Sequence, residues 1–276
     1  MTDMQGSWVW YELMTPDADG AKAFYDKVVG WNIQTTHGGG AEGNAPGETP
    51  YGFIANPDGS MTGGVLHLDE AMCEQGARPC WMGYIGVDDV DSALKAIEAA
   101  GGKTVMPPRD VAMAGRIAMI ADPCGAHVYI MTPTPPPGME NAENENAENT
   151  AFSPTKNGSC AWNELCANGQ KQALDFYTGL FGWGLGEAMD MGPMGSYQLL
   201  TKGATQIGAV MEKPKEMPVS AWSYYFRVPD IEAAKAAVTA NGGTITLDLT
   251  EVPGGEWVLN GIDPQGAHFA LIGAKA

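Results

Sequence analysis

Hydrophobic and polar positions alternate between strand-like and helix-like periods along the chain. The run at 8–13 is aromatic and β-branched, as expected of a strand. Thr15-Pro16-Asp17 then predicts a helix start with Pro16 at the first helical position. The helix has one apolar face, at i, i+3, i+4 and i+7, and ends at Gly30; that face consists of Ala21, Phe24, Tyr25 and Val28.

The same alternation continues to the end of the chain. Short strands are predicted around 51–56 and 62–68, and a further strand at 81–87. A second helix begins near Asp89, ends at Gly101-Gly102, and buries Val90, Ala93, Leu94 and Ile97. Strands near 103–106, 116–121 and 126–131 follow, and two more helices are predicted near 169–180 and 230–240. The order βαβββ therefore occurs four times.

The chain contains two copies of one unit. A first set of residues recurs with a shift of 152 positions: Trp10, Glu12, Phe24, Tyr25, Gly30 and Trp31 match Trp162, Glu164, Phe176, Tyr177, Gly182 and Trp183. A second set recurs with a shift of 141: Trp81, Gly101, Gly102, Asp122, Pro123 and Gly125 match Trp222, Gly242, Gly243, Asp263, Pro264 and Gly266. Repetition at this scale indicates a duplicated structural unit.

A single βαβββ module cannot bury both faces of its small sheet, so modules must pair. We predict an α+β fold in which four βαβββ modules pair into two curved mixed sheets around cavities. Domain 1 spans 1–132, with modules at about 7–68 and 80–131. Domain 2 spans 157–276, with modules at about 159–212 and 221–273. The Pro-, Asn- and Glu-rich stretch 133–156 is predicted to be a linker.

Composition narrows the classes of function. With 44% hydrophobic and 17% charged residues the chain is typical of a globular protein, and no apolar run approaches the roughly 18 residues of a membrane span. The start of the chain has no secretory pattern, so we expect a cytoplasmic protein whose five cysteines are reduced. The net charge of −18 argues against nucleic-acid binding and leaves a small molecule as the expected partner; the sequence does not indicate an oligomeric state.

Several of the repeated motifs resemble the vicinal oxygen chelate superfamily, which includes glyoxalase I, extradiol dioxygenases and bleomycin-resistance proteins. The matching motifs are Phe24-Tyr25 before Gly30-Trp31, Phe176-Tyr177 before Gly182-Trp183, and Asp-Pro-x-Gly at 122–125 and 263–266. The resemblance covers nearly everything except the linker and implies a tandem glyoxalase-like fold. It implies little about activity, because the superfamily supports many chemistries.

In metal-dependent members, each module supplies ligands from its first and last strands. The resemblance places these positions near Trp10, Trp162, Tyr129, Ala270, Met82 and Ser223. None of these side chains is a good ligand for a hard cation. The usual metal-ligand set is therefore predicted to be largely lost.

One partial metal site remains conceivable in half one. His67 lies on the last strand of module one, where the resemblance implies a second ligand, and Met211 is taken as its counterpart in half two. Glu12 and Glu164 stand two residues beyond the expected first ligand, on the same strand face. Glu12 with His67 is thus a hypothetical site for a divalent ion.

Three interpretations of Glu12 and Glu164 stay open at this point. They are metal ligands, buried carboxylates with a structural role, or catalytic general bases whose pKa is raised in an apolar cavity.

Aromatic residues on the predicted strands favour an apolar ligand pocket. The candidates are Trp10, Trp81, Tyr129, Trp162 and Trp222, with His127 and His268 at the cavity mouth. We expect a glyoxalase-like protein acting on a small carbonyl or aromatic compound, as a lyase, isomerase or dioxygenase. The alternative is a non-enzymatic binding protein of the bleomycin-resistance type, and the sequence leaves open whether the protein is an enzyme.

Overall fold

A computed structural model of the protein describes residues 4–35, 50–112, 114–134 and 150–275. The strands of the first half are β1 Trp8–Thr15, β2 Asn32–Gln34, β3 Tyr51–Ala55, β4 Met61–His67, β5 Cys80–Gly86, β6 Lys103–Val111, β7 Gly115–Ala121 and β8 His127–Pro133. Those of the second half are β9 Cys160–Ala167, β10 Gly184–Asp190, β11 Ser196–Lys202, β12 Thr205–Glu212, β13 Ala221–Arg227, β14 Thr244–Val252, β15 Glu256–Ile262 and β16 His268–Gly273.

The helices lie between these strands. They are α1 Ala18–Val28, α2 Glu70–Glu74, α3 Val90–Ala99, α4 Gln170–Phe181 and α5 Ile231–Ala240, with a 3-10 turn at Gly192–Met194. Among the residues described, no helix is both long and apolar enough to cross a membrane.

Each half of the chain supplies one mixed eight-stranded sheet. The strand orders are β2-β3-β4-β1-β5-β8-β7-β6 and β10-β11-β12-β9-β13-β16-β15-β14, so the second repeats the first. Within each module the first strand runs parallel to the last, as β1 does to β4 and β13 does to β16, and the other pairings are antiparallel. The predicted α+β fold with two curved mixed sheets is confirmed.

The first helix shows how closely the pattern predicted local structure. Its buried residues are the four of the predicted apolar face. The predicted position of Pro16 is wrong by two residues, because Asp17 is the N-cap: its side chain accepts a hydrogen bond from the Gly20 N–H. An aspartate at the N-cap satisfies an otherwise unpaired N–H of the first turn, so the helix begins after Asp17.

Three elements differ from the prediction. The short strand β2 and the short helix α2 were not predicted, because three to five residues are too few to show a period. The strand β6 continues to Val111, across Pro107 and Pro108, and its pairing with β7 shifts register between Thr104 and Arg109. Proline has no N–H to donate, so it is accommodated where the ladder is irregular and lies at the edge of the sheet.

The chain forms two compact units, and each takes one module from either half. One unit gathers the described residues within 1–9, 83–149 and 163–222. The other gathers those within 10–82, 150–162 and 223–276. The helix pairs α3 with α4 and α1 with α5 pack inside these units. Each compact unit is therefore formed by two modules, one from each half of the chain.

A buried Trp–Tyr–Asp chain occurs once in each unit. In one, Trp81 Nε1 donates to Tyr25 Oη at 3.0 Å, and Tyr25 Oη donates to Asp263 Oδ2 at 3.0 Å. In the other, Trp222 Nε1 donates to the Tyr177 hydroxyl at 2.9 Å, which donates to Asp122 at 3.1 Å. The tyrosine and aspartate come from opposite halves, so the two motifs bind each other reciprocally.

The second carboxylate oxygen of each aspartate holds its own turn. Asp122 Oδ1 accepts from the N–H groups of Cys124 and Ala126, and Asp263 Oδ1 accepts from those of Gln265 and Ala267. Burial raises the pKa of both carboxyl groups, and these hydrogen bonds oppose the rise. The Asp-Pro-x-Gly motif is therefore a structural anchor.

Two further repeated motifs also contact residues of the opposite half. Trp31 Nε1 donates to the carbonyl oxygen of Gly158 at 2.8 Å, and Trp183 Nε1 donates to that of Gly6 at 2.7 Å. A Cβ on Gly243 would come within 2.8 Å of the Phe24 ring, so the second glycine of this Gly-Gly pair provides room for the other half's helix. The repeated motifs thus maintain the pairing of modules.

The predicted linker is only partly within the described residues. Its Glu- and Asn-rich centre, 135–149, lies outside them. At its end, Ala151 is buried, the Thr150 hydroxyl donates to the Met61 carbonyl at 2.7 Å, and Lys156 forms an ion pair with Asp58. Residues 150–156 therefore pack against module one.

We predict that the Trp–Tyr–Asp chain is energetically coupled. Tyr25→Phe leaves a buried indole N–H and a buried carboxylate oxygen without this partner, so it should lower the free energy of unfolding by about 1–3 kcal/mol. Urea unfolding of Tyr25→Phe, Trp81→Phe and the double variant should give a coupling of about 0.5–3 kcal/mol. Tyr177→Phe with Trp222→Phe is the matched pair in the other unit. Additive losses would contradict the coupling.

We also predict that a fragment spanning 1–134 forms a homodimer. In this fragment Tyr25 and Trp31 lose their acceptors, which are Asp263 and Gly158 of the second half. The fragment's own Asp122 and Gly6 are the sequence equivalents of these two residues, so a second copy of the fragment can supply both acceptors. Sedimentation should show a folded dimer, and Asp122→Ala should abolish it because the tyrosine then has no acceptor. A folded monomer at micromolar concentration would contradict the reciprocal pairing.

Candidate functional site

One face of the sheet in module one combines a buried acid with aromatic side chains. Trp10, Glu12 and Met14 alternate along β1 and therefore point to the same side. Glu12 is 4% exposed, Met14 is buried, and Trp10 is half-buried. We call this the module-one face, and its members are Trp10, Glu12, Met14, Tyr51, Phe53 and Cys80.

A glycine makes room for Tyr51 beside Glu12. Gly64 lies directly opposite Glu12 in the parallel pair of β1 and β4. A Cβ on Gly64 would come within 2.1 Å of the Tyr51 hydroxyl, so this hydroxyl lies over the position where a side chain would stand. Trp10 Nε1 donates to the same hydroxyl at 2.8 Å. The tyrosine is thereby held next to the carboxylate.

Phe53 completes the aromatic wall. Its ring meets those of Trp10 and Tyr51 edge to face, with centroids 6.4 and 5.6 Å apart, and the residue is 42% exposed. Edge-to-face contacts of this kind orient the rings while leaving their outer surfaces available. The module-one face therefore presents apolar rings at its rim and a carboxylate within.

Cys80 extends this face onto β5. Burial, reinforced by the charge of Glu12, raises the pKa of its thiol to about 11. Its Sγ lies 4.0 Å from Met14 Sδ. A thiol with so high a pKa carries almost no thiolate at neutral pH, so it is a poor nucleophile and acts as a packing group.

The corresponding face in half two keeps a glutamate and a tyrosine but lacks the exposed ring. Tyr197 Oη donates to Glu164 Oε2 at 2.7 Å, and Glu164 is half-buried. Leu199, which pairs with Ala209 as Phe53 pairs with Gly64, is buried. Burial and the Glu164 charge raise the pKa of the Cys166 thiol to about 12. As in half one, a tyrosine lies next to the glutamate, because Tyr197 is the register equivalent of Tyr51; the exposed ring of Phe53 is replaced by an aliphatic side chain.

The strand register separates Glu12 from His67. His67 lies opposite Thr15, three positions along β1 from Glu12, and the two side chains therefore point to opposite faces of the sheet. The hypothetical Glu12–His67 site is thus not formed. The assumed counterpart of His67 is also wrong: Glu212 lies opposite Ala167 as His67 lies opposite Thr15, and Met211 corresponds to Leu66.

Glu212 caps the start of α4. Its two carboxylate oxygens accept hydrogen bonds from the N–H groups of Gly169 and Gln170, each at 3.0 Å, at the start of α4. An acceptor from a neighbouring strand thus caps a helix whose own N-cap residue, Gly169, has no side chain.

The donor set does not fit a divalent ion. The positions where metal ligands would be expected are occupied by Trp10, Met82, Tyr129 and their half-two counterparts. Within 4–35, 50–112, 114–134 and 150–275, no three His, Cys, Asp or Glu side chains converge to hold a metal. The residues of this chain therefore offer no conventional metal centre in the described part.

The other candidate pocket residues fall into distinct surroundings. Trp81 and Trp222 are buried and donate to Tyr25 and Tyr177, which makes them members of the anchoring networks. Tyr129 is buried and stacks on Tyr84, with ring centroids 4.3 Å apart and planes 7° from parallel. Trp162 is half-buried and packs against a cluster that includes Tyr225 and Ala270.

The two histidines begin the last strand of each half. His127 starts β8 and His268 starts β16, and both are exposed. An exposed histidine at the start of a strand is available to solvent or to a ligand.

Sequence reasoning missed that Tyr51, Phe53 and Cys80 lie on the same sheet face as Glu12. The period-two alternation of β3 places Tyr51 and Phe53 on one face, and that signal was available. Their proximity to Glu12 depends on the register of β3, β4 and β1, which no local pattern encodes.

We predict that each glutamate suppresses the reactivity of its neighbouring thiol. Glu12→Gln removes a negative charge, so the Cys80 pKa should fall and its alkylation by iodoacetamide at pH 8 should accelerate; half a pKa unit corresponds to about threefold. Glu164→Gln should act on Cys166 alone. Mass spectrometry of each labelled site measures the rates, with Cys73 as the internal control. Equal acceleration at all sites would indicate general loosening instead.

Comparison with known proteins agrees with this architecture. A family model described as Glyoxalase/Bleomycin resistance protein/Dioxygenase superfamily matches residues 8–130 and 160–271. The Mycobacterium bovis protein named "Putative glyoxylase CFP32" is 31% identical over 270 residues, covering 97% of this chain and 95% of the relative. The Streptomyces peucetius "Anthracycline biosynthesis protein DnrV" is 28% identical over 284 residues, covering 97% and 93%.

Solved structures support the fold at lower identity. The Mn(II)-bound glyoxalase from Novosphingobium aromaticivorans has a TM-score of 0.61 at 15% identity, over 98% of this chain and 83% of that chain. The 2,3-dioxygenase LapB from Pseudomonas sp. KL28 has a TM-score of 0.61 at 14% identity, over 99% and 94%. With both halves matched by the family model, the chain belongs to the glyoxalase/bleomycin resistance protein/dioxygenase superfamily.

Proposed function

We propose that the module-one face binds a small carbonyl or aromatic compound, and that Glu12 transfers a proton at a carbon next to the carbonyl. The observation that carries this proposal is a nearly buried carboxylate beside the half-exposed rings of Trp10 and Phe53. The reaction class is a glyoxalase-like isomerisation or a lyase reaction that begins with the same proton abstraction.

The chemistry uses only groups of this face. An α-hydroxy ketone loses the proton of its hydroxyl-bearing carbon to a positioned carboxylate and becomes an enediolate. The carboxyl group then returns this proton to the former carbonyl carbon, while the proton of the compound's own hydroxyl passes to the former carbonyl oxygen. Burial lowers the local dielectric, which strengthens the interaction of Glu12 with the reacting atoms. The aromatic wall binds the apolar part of the compound and excludes water from the carboxylate.

The relatives support two parts of this proposal. The mycobacterial relative is named as a glyoxylase, which agrees with a carbonyl substrate. The Streptomyces relative is named for anthracycline biosynthesis, which agrees with an aromatic one. An aryl ketone combines both features. We place this activity in the cytoplasm, because an odd number of unevenly spaced cysteines argues against a disulfide framework.

A second candidate function is binding without turnover. The hydrogen bond from Trp10 to Tyr51 and the edge-to-face packing of Phe53 preorganise the wall, which favours affinity whether or not chemistry follows. In that case Glu12 acts as an acceptor for a hydroxyl or amide group of the ligand.

We predict that the protein accelerates hydrogen–deuterium exchange at C2 of 2-hydroxy-1-phenylethanone in D2O, followed by proton NMR. Glu12→Gln should slow the exchange by about 100-fold or more, because a general base contributes at least this much. Phe53→Leu, which introduces the half-two residue, should raise KM and leave kcat largely unchanged, because it removes part of the wall.

Glu74→Gln, an exposed glutamate on α2, is the matched control and should leave the exchange unchanged. Saturable binding of the ketone without exchange would support the binding function instead. Absence of both binding and exchange would contradict the proposal.

A further inference from the structure

The hydroxyl of Tyr51 lies between the exposed ring and the acid of the module-one face. Phe53, Gly64 and Glu12 pair directly across β3, β4 and β1, so they form one row on this face. Tyr51 starts in the next row, but its hydroxyl lies within 2.1 Å of the point where a Cβ of Gly64 would stand. A compound that packs on Phe53 and reaches Glu12 therefore passes this hydroxyl.

The indole of Trp10 fixes the direction of the same hydroxyl. Trp10 Nε1 donates a hydrogen bond to Tyr51 Oη at 2.8 Å, and an indole N–H can act only as a donor. The tyrosine oxygen is the acceptor in this bond, so its own proton points elsewhere. A hydrogen bond to a charged group favours the charged form. The indole therefore stabilises Tyr51 once the tyrosine has given its proton away.

Half two keeps the tyrosine but not the position of its hydroxyl. Ala209 lies opposite Glu164 as Gly64 lies opposite Glu12, so a methyl group fills the place over which the Tyr51 hydroxyl lies in half one. The hydroxyl of Tyr197 cannot occupy that place, and it donates to Glu164 Oε2 at 2.7 Å. A tyrosine hydroxyl held over a glycine is therefore a property of half one.

The reaction proposed for Glu12 needs a second group that carries protons, and this inference rests on that reaction. When Glu12 removes the proton of the hydroxyl-bearing carbon, negative charge develops on the carbonyl oxygen, and a donor at that oxygen stabilises it. Isomerisation also moves a proton from the hydroxyl oxygen to the former carbonyl oxygen. Glu12 holds the carbon-derived proton at this stage, so another side chain must carry the second proton.

We propose that Tyr51 is this second catalytic residue and that it carries a proton between the two oxygens of an α-hydroxy ketone. The O–H proton of Tyr51 passes to the carbonyl oxygen as the enediolate forms. Tyr51 Oη then takes the proton of the compound's own hydroxyl group. The tyrosine O–H bond is broken once and formed once, so the residue ends the reaction as it began. Glu12 meanwhile returns its proton to the former carbonyl carbon.

The test compares Tyr51→Phe with Tyr197→Phe, the matched change in half two. Proton NMR follows exchange at C2 of 2-hydroxy-1-phenylethanone in D2O and the conversion of its isomer 2-hydroxy-2-phenylethanal into this ketone. Tyr51→Phe should slow the exchange by about 100-fold or more, because the loss of one donor to a developing oxyanion costs about this much. Tyr197→Phe should leave both rates unchanged.

The ratio of the two rates distinguishes proton transfer from a structural role. Exchange requires only the enediolate, whereas isomerisation also requires the transfer between oxygens. In Tyr51→Phe the isomerisation should therefore slow more than the exchange does. A general loosening of the face would slow both rates equally.

A second variant moves the hydroxyl without removing it. Gly64→Ala introduces the half-two residue, and its methyl group displaces the Tyr51 hydroxyl while Glu12 and the rings remain. Isomerisation should slow by about tenfold or more, because small displacements of a catalytic group are costly. Gly179→Ala is the matched control, since a Cβ there has no atom of another residue within 4 Å. Urea midpoints confirm that each variant is folded.

Three results would overturn this inference while leaving the role of Glu12 intact, provided that Glu12→Gln still abolishes exchange. The first is unchanged rates in folded Tyr51→Phe, and the second is an equal loss of exchange and isomerisation in that variant. The third is unchanged isomerisation in folded Gly64→Ala. Absence of exchange in the unaltered protein would instead remove the proposed reaction and this inference together, so the two failures are distinguishable.

Discussion

The hydrogen bond between a helix tyrosine of one half and a turn aspartate of the other is the interaction on which the architecture depends. It occurs twice, from Tyr25 to Asp263 and from Tyr177 to Asp122, and both times it lies at the centre of a buried chain that also includes a tryptophan. A buried carboxylate is tolerated only when its acceptor sites are occupied, and here backbone N–H groups and the tyrosine occupy them. This requirement binds modules of opposite halves into each compact unit.

The motifs that identify the superfamily hold together modules of opposite halves. Their presence therefore indicates the fold and does not indicate which reaction the protein catalyses. Tyrosine, tryptophan and aspartate anchors recur in both halves, together with the glycines that allow helices to approach closely. The sheet faces are free of that constraint and have diverged. In half one the exposed ring of Phe53 lies on the face that carries Glu12, whereas half two has the buried Leu199 at that position and has Asn260 where half one has Met119. The residues on the sheet faces, and not the superfamily motifs, therefore indicate the function of this chain.

Much of the fold was predictable because local periodicity carries it. The buried face of α1 has a 3.6-residue period, the long strands are rich in aromatic and β-branched residues, and a sequence repeat reveals itself without any structure. Elements without such a signal were missed, as β2 and α2 show. The prediction of a Glu12–His67 site failed for a different reason: a shift of one position in a strand reverses the face on which a side chain lies.

The sequence by itself determined the repeat and the class of fold, since each depends on the identity of residues at known spacings. Only the tertiary structure decided which half supplies the partner of each motif and which side chains meet on a sheet face. Tyr25 binds Asp263 across 238 positions, and the Tyr51 hydroxyl lies over Gly64, opposite Glu12, only because that glycine has no side chain. Such contacts depend on module pairing and strand register, and these are collective properties of the packed chain.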